Sequence, residues 1–150
     1  MNHEKFMLLA LVEAKKAGQR QEIPIGAVLV SDKWEILASA YNQTINLTDP
    51  TAHAEILALR RAGRQTKNYR LLNTTLYVTV EPCIMCMGAI VHARIARLVF
   101  GTSDPKWGAA GSLYDFGGDL RLNHQTEVIS GVCEEECKKL LQDFFRGKRA

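Results

Sequence analysis

The chain has 150 residues, of which 47% are hydrophobic and 23% are charged. This balance is typical of one globular domain and excludes a disordered chain. The formal net charge of +3 permits an anionic partner without requiring one. The longest apolar run near the start, residues 6–12, is too short to span a bilayer and has no small-residue cleavage pattern. We therefore expect a single cytoplasmic domain over residues 1–150, without membrane association.

The first half of the chain predicts two helices that flank a hairpin. Gly18 and Gly63 are typical C-terminal helix stops, and Thr51 is a possible N-terminal cap. The expected elements are a helix over residues 4–17, strands over 25–30 and 34–41, and a helix over 52–62.

The second half alternates strands with helices. A segment rich in β-branched residues predicts a strand, and Pro82 suits the first turn of the helix after it. The expected elements are strands over residues 75–80, 98–100 and 127–132, helices over 83–94 and 133–146, and a glycine-containing loop over 101–118. Strands separated by helices indicate the α/β class.

Two short motifs open two of the predicted helices. His53 and Glu55 begin one, and Cys83 and Cys86 begin the other, directly after Pro82. Two thiolates and one imidazole suit zinc, and three protein ligands leave the fourth tetrahedral position open for water. Structural zinc sites are normally closed by four protein ligands, so a structural zinc knot or a pair of buried thiols is the less favoured alternative.

Glu55 follows His53 by two residues and so points in a different direction around the helix axis. It can therefore stand beside the metal without binding it. Zinc lowers the pKa of bound water from about 15.7 towards about 7. We expect Glu55 to accept that proton and to pass it to the substrate.

Each motif alone is weak evidence, but the joint pattern His-x-Glu and Pro-Cys-x-x-Cys is typical of zinc nucleobase deaminases. Over nearly its whole length the chain also resembles the bacterial tRNA-specific adenosine deaminases. The matching stretches are residues 25–28, Asn42, 49–55, 75–83, 108–112, 123–124 and 143–146.

The resemblance implies a three-layer cytidine deaminase-like α/β fold, with a five-stranded mixed sheet sandwiched by helices. It implies a homodimer with one Zn²⁺ per subunit. It also implies hydrolysis of the wobble adenosine in the anticodon loop of tRNA-Arg to inosine, with release of ammonia. A related deaminase acting on a free nucleobase or nucleoside, such as guanine or cytosine, is the alternative. A zinc-stabilised binding module without activity is a third hypothesis.

The resemblance also implies substrate contacts. Asn42 would hydrogen-bond the target base, and the backbone of Ala54, Glu81 and Pro82 would orient it. Further expected RNA contacts are Lys106, Ala109, Phe144, Phe145 and Arg146. Trp107 is bulkier than the residue usual at its position.

Three other groups have simpler interpretations. The basic cluster formed by Arg60, Arg61, Arg64, Lys67 and Arg70 is more simply a solvated helix face and loop than a phosphate track. Cys133 and Cys137 share a helix face, and small packed residues are favoured over a second metal site. His124 is expected to be structural, with a pocket role left open.

Overall fold

The computed structural model describes residues 2–149. Its helices are α1 His3–Gln19, α2 Ala54–Thr66, α3 Ile84–His92 and α4 Glu134–Arg149. Its strands are β1 Gly26–Val30, β2 Ile36–Tyr41, β3 Thr75–Val80, β4 Arg97–Thr102 and β5 Glu127–Ile129. The order of helices and strands is the one that the sequence predicts.

The five strands form one mixed sheet in the order β2-β1-β3-β4-β5. β1 is antiparallel to both β2 and β3, whereas β3, β4 and β5 run parallel. β1 and β3 are buried along their whole lengths. A strand that is buried on both faces has an almost continuous apolar sequence, as residues 26–30 have.

Helices cover both faces of the sheet. Side chains from α2 and α3 pack against alternate strand residues such as Leu29 and Val78. α1 and α4 pack against the opposite face, where Val28 and Tyr77 point. The period-2 alternation of a strand sends neighbouring residues to opposite faces, so each central strand serves both cores. The predicted three-layer α/β fold is confirmed.

Two glycines allow helices to approach the sheet closely. A Cβ on Gly26 would collide with the backbone of α1 at Ala10 and Ala14. A Cβ on Gly101 would collide with the Cys137 side chain of α4. Any side chain at either position would push a helix away from the sheet.

Both predicted glycine stops are wrong. α1 continues through Gly18 to Gln19, and α2 continues through Gly63 to Thr66. Glycine inside a helix costs only about 1 kcal/mol relative to alanine, which the packing of the flanking helix can outweigh. α2 ends instead at Thr66, and its C-cap residue Lys67 has a φ of 57° and donates its N–H to the Gly63 carbonyl.

The predicted cap of α2 is also wrong. The backbone N–H and the hydroxyl of Thr51 both donate to Asp49 Oδ1, at 2.9 and 2.8 Å. This local turn occupies the threonine side chain, so His53 takes the N-cap position two residues later. β4 is longer than predicted, because it pairs with β3 as far as Thr102, and β5 is shorter, because it pairs with β4 only over Glu127–Ile129.

Within residues 2–149, no helix has both the length and the apolar character needed to cross a lipid bilayer.

Candidate active site

The site lies where α2 and α3 begin, at the end of the sheet that β3 reaches at Val80. His53 is the N-cap residue of α2, and Cys83 is the N-cap residue of α3. Both have extended backbones and neither makes a side-chain capping bond. Their side chains are therefore free to point away from their own helices and towards each other.

Three ligand atoms meet between the two helix starts. His53 Nδ1 lies 3.7 Å from Cys83 Sγ and 3.5 Å from Cys86 Sγ. All three atoms lie within 4.8 Å of one another. The structure thus brings together the three ligands that the spacing of the motifs predicts.

These distances fit a tetrahedral zinc ion. Bonds of about 2.3 Å to sulfur and about 2.0–2.1 Å to nitrogen, at a tetrahedral angle, separate sulfur from nitrogen by about 3.5–3.6 Å. The two sulfur–nitrogen distances are 3.5 and 3.7 Å. The donor set of two sulfurs and one imidazole is also one that zinc prefers. The residues present therefore fit the metal that the sequence predicts.

The protonation of the two cysteines is coupled. Hydrogen bonding to Cys86 lowers the pKa of Cys83 to about 4, against the opposing effect of burial, and His53 contributes in the same direction. The same contact and burial raise the pKa of Cys86. The hydrogen bond to Cys83 raises the pKa of His53. One thiolate is therefore already favoured, which is the form that binds a metal.

Glu55 lies in the first turn of α2 and is only 4% exposed. Burial raises the pKa of its carboxyl group to about 7, and neighbouring His53 opposes this rise. A carboxyl group whose pKa lies near neutral pH can both accept and donate a proton. Glu55 is not one of the three clustered ligand residues, as its spacing from His53 predicts.

Comparisons with known proteins identify the family to which a chain with this arrangement of side chains belongs. Residues 1–102 match the model of the cytidine and deoxycytidylate deaminase zinc-binding region. The tRNA-specific adenosine deaminase of Haemophilus influenzae is 56% identical over 146 residues, which cover 97% of this chain and 84% of that protein. The Bacillus subtilis enzyme of the same name is 48% identical, covering 97% and 90%.

The chain belongs to the tRNA-specific adenosine deaminases.

Solved structures agree with this assignment. A structure from work on A-to-I editing by tRNA:A34 deaminases superposes with a TM-score of 0.88 and 48% identity, covering 91% of this chain and 99% of that one. A guanine deaminase from Nitrosomonas europaea superposes with a TM-score of 0.81 at 22% identity, covering 94% and 83%. The second likeness shows that the fold is shared and carries no further conclusion.

In this adenosine deaminase, Ala54 directly follows His53 in the chain, and Asn42 precedes Gln43, whose N–H binds the Ala52 carbonyl at 2.9 Å. Asn42 follows β2, is buried, and donates its backbone N–H to the Ile25 carbonyl at 3.0 Å. Ala54 is the first residue of α2 and is also buried. The N–H groups in the first turn of a helix have no acceptor within the helix, so they can bind a ligand.

Glu81 and Pro82 directly precede Cys83 in the chain, and Ala109 binds Pro82. Ala109 donates its N–H to the Pro82 carbonyl at 2.8 Å, and Gly108 forms an isolated bridge with Cys83. The loop after β4 is therefore joined directly to Cys83. Sequence reasoning placed these residues near the base but missed the role of the Glu81 side chain.

The Glu81 carboxylate accepts hydrogen bonds from residues that lie 23 to 31 positions later in the chain. Burial acts to raise the pKa of Glu81. The Ser112 hydroxyl and the N–H groups of Asp104, Ser112 and Ala110 outweigh burial and lower it. Glu22, a second buried carboxylate, accepts from the N–H groups of Ile45 and Asn46 in the loop after β2. No sequence motif marks either network.

The expected contacts on α4 lie on the opposite face of the sheet from α2 and α3. Phe144 is half-buried and Phe145 is 43% exposed, and their rings meet edge to face. Arg146 pairs with Asp143 at 3.2 Å. Lys106 is exposed in the loop after β4, beside the residues that bridge to Cys83.

The remaining candidate residues make contacts within the fold. His124 Nε2 lies 2.7 Å from the Ile95 carbonyl. Cys137 is buried against Gly101, and burial raises its pKa to about 12. Within the basic cluster, Arg60 pairs with Asp49 and Arg61 donates to the Ser39 carbonyl.

Proposed function

We propose that this enzyme hydrolyses the wobble adenosine in the anticodon loop of tRNA-Arg to inosine, with release of ammonia. The observation that carries the proposal is identity of 45–56% over nearly the whole chain to proteins named tRNA-specific adenosine deaminase. We further propose one Zn²⁺ per subunit and a homodimer acting in the cytoplasm. Residues 1–150 are taken as one deaminase domain, since β5 adds the last strand to the sheet of the matched region and α4 packs against that sheet.

His53, Cys83 and Cys86 are the proposed zinc ligands. A zinc ion held there would acidify a bound water and supply the nucleophile for hydrolysis. The positive ends of α2 and α3 both point at this position, which favours negative charge there. Every other step in the proposed mechanism belongs to side chains and backbone groups of the protein.

Glu55 is the proposed proton carrier. It takes one proton from the attacking water and delivers it to N1 of adenine, then takes the proton of the new C6 hydroxyl and delivers it to the departing amine. The carbon–oxygen bond at C6 forms first and the carbon–nitrogen bond to the protonated amine then breaks, so water and adenosine give inosine and ammonia. Burial of Glu55 keeps bulk water from competing for the proton.

The target base needs polar partners that recognise its edges. We propose that Asn42 hydrogen-bonds the base and that the backbone of Ala54, Glu81 and Pro82 orients it. Lys106, Ala109, Phe144, Phe145 and Arg146 are the proposed contacts to the rest of the RNA. The exposure of Phe145 supports a stacking role, because aromatic side chains bind splayed bases in single-stranded loops.

A free-base deaminase is the second candidate. A Bacillus subtilis guanine deaminase is 39% identical with a TM-score of 0.65, covering 69% of this chain and 66% of that one. The two candidates share their metal chemistry and differ only in the substrate.

The deciding experiment offers the zinc-loaded enzyme an anticodon stem-loop and, in parallel, free adenosine, guanine and cytosine. We expect inosine in the stem-loop, read as guanosine on sequencing, and no turnover of the small molecules. The matched control is a stem-loop with guanosine at the wobble position. Turnover of guanine or cytosine, with the stem-loop unchanged, would establish the second candidate instead.

A further inference from the structure

The Glu81 carboxylate is buried at the edge of the site, with only 4% of the residue exposed. Its Oε1 accepts from the Asp104 N–H at 3.0 Å and from the Ser112 hydroxyl at 2.5 Å. Its Oε2 accepts from the N–H groups of Ala110 and Ser112, both at 3.0 Å. All four donors belong to one loop, residues 104–112.

Burying a carboxylate is unfavourable unless its oxygens are hydrogen-bonded. Here the compensation comes from this single loop, and bonds to an ionised acceptor are stronger than bonds between neutral groups. The free energy that offsets the burial of Glu81 is therefore available only when the loop adopts this conformation.

The same loop also touches the metal-binding segment. Gly108 bridges to Cys83, and the Ala109 N–H binds the Pro82 carbonyl. Gly108 lies so close to Glu81 that a Cβ would collide with the carboxyl group, whose three atoms would be its nearest neighbours. The Glu81 side chain thus fills the space between the loop and the strand that leads to Cys83.

The outer part of the loop presents two exposed side chains. Trp107 is 67% exposed, and Lys106 is exposed beside it. Asp104 Oδ1 accepts the backbone N–H groups of both, at 3.1 and 3.2 Å. The Asp104 N–H is itself bound by the Glu81 carboxylate. Asp104 therefore connects the buried carboxylate to the backbone of Lys106 and Trp107.

We infer that Glu81 is a positioning residue, whose carboxylate fixes the 104–112 loop against Pro82 and Cys83 and so sets where Lys106 and Trp107 meet the RNA. This inference rests on the proposed function for the identity of the substrate. A cation and an aromatic ring side by side match a phosphate and the face of an adjacent base. Glu81 does not touch the reacting atoms.

The first test is Glu81→Gln, which keeps the shape of the side chain. With its oxygen in the place of Oε2, the amide still accepts from the Ala110 and Ser112 N–H groups and can donate to the Ser112 hydroxyl, but the partly buried Asp104 N–H loses its acceptor. We expect KM for the anticodon stem-loop to rise about tenfold, the range for one unsatisfied buried group, while kcat and zinc content stay near parental values. If Glu81 only stabilised the fold, Glu81→Gln would reduce the fraction of active enzyme. The apparent kcat would then fall, and KM would not change.

Glu13→Gln is the matched control, because Glu13 is a buried carboxyl residue on α1, on the other face of the sheet. It should leave KM unchanged. A parental KM in Glu81→Gln would overturn the inference. Failure of the parental enzyme to deaminate the stem-loop would instead overturn the proposed function, so the two results are separable.

A second test uses binding alone and two further variants. In a Glu55→Gln background, fluorescence anisotropy should show a weaker stem-loop Kd for Gly108→Ala, because its Cβ displaces the Glu81 carboxylate. Glu81→Ala removes that collision, so adding Gly108→Ala to it should weaken binding no further. Additive losses would contradict the inference, since they would mean that Gly108 and Glu81 act independently.

Discussion

Two buried glutamates stand at the same end of the sheet in opposite electrostatic environments. Burial dominates at Glu55 and raises the pKa of its carboxyl group to about 7. Four hydrogen-bond donors dominate at Glu81 and lower its pKa. The first group can exchange a proton near neutral pH, whereas the second stays ionised and holds structure. Environment, and not residue type, separates the two roles.

Glu55→Gln should keep the fold and the metal and lose the reaction. The amide has the same shape but cannot carry the proton, so we expect kcat to fall by about 10²- to 10⁴-fold. Single-turnover deamination of the stem-loop and metal analysis of the same sample would measure both properties. Glu35→Gln, in the exposed β1–β2 turn, is the control. Parental turnover in Glu55→Gln would remove Glu55 from the mechanism.

The clustering of three side chains, His53, Cys83 and Cys86, could be predicted from the sequence because each motif is short and opens a helix. His53 and Glu55 are two residues apart, and Cys83 and Cys86 are three apart. The Glu81 network could not be predicted, because its partners lie 23 to 31 residues later in an aperiodic loop. No periodicity or spacing rule relates a buried carboxylate to the backbone of a distant loop.

At the scale of elements, α1 is attached to the sheet by its first turn as well as by its apolar side. His3 Nδ1 lies 2.7 Å from the Tyr77 hydroxyl, and Phe6 packs on the same ring. Tyr77 is fully buried in the middle of β3. The start of α1 is thus joined to the central strand of the fold.

The partial burial of His3 should make stability depend on pH. Burial lowers the pKa of His3 below 6.5, and nearby Arg97 adds to the effect. Below pH 6.5 the unfolded chain therefore binds more protons at this position than the folded one, and stability falls as pH falls. Comparing urea midpoints of the parent and His3→Gln between pH 7.5 and 5 isolates this contribution. We expect a shallower decline in the variant, and parallel curves would contradict the assignment.

Close packing of α1 on β1 gives a second prediction at this scale. Gly26→Ala should destabilise the protein by about 3 kcal/mol, because the new methyl group meets the backbone of α1. Gly88→Ala, in α3, is the matched control, since its Cβ has no neighbour within 4 Å. It should be neutral or stabilise by about 0.5–1 kcal/mol. Denaturant unfolding measures both, and equal midpoints would refute the close approach.

Element types and order were predictable because hydrophobic periodicity reports burial directly. The ends of the helices were less predictable. The tendency of Gly18 and Gly63 to end a helix is weaker than the packing that holds the whole helix in place. The cap at Thr51 failed because Asp49 competes for the same side chain. Such outcomes depend on partners that only the folded chain brings together.

For the molecule as a whole, the metal-binding group joins two separate helix starts at one end of the sheet. His53 belongs to α2, and Cys83 and Cys86 belong to α3. A bound ion therefore links segments that lie 30 residues apart. Binding to the folded state alone stabilises that state by mass action.

Zinc removal should lower the unfolding temperature. At a thousandfold excess over Kd, binding contributes about 4 kcal/mol, which corresponds to roughly 10 °C for a domain of this size. Differential scanning calorimetry with and without a chelator measures the shift. In Cys83→Ser the chelator should no longer shift the unfolding temperature. In Cys133→Ser, which lies outside the metal-binding group, the shift should remain. A chelator that leaves the parental transition unchanged would count against the metal centre.

The turn between β1 and β2 lies at the far end of the sheet from the active site. β1 and β3 are antiparallel, with Val30 opposite Thr75, so residues 31–35 stand about 17 Å of strand length away from Val80. Asp32 and Lys33 are exposed at its tip. An affinity peptide or a fluorophore attached there would leave the RNA-facing end open. The enzyme could thus be immobilised on a bead, with every molecule presenting its substrate entrance to the solution.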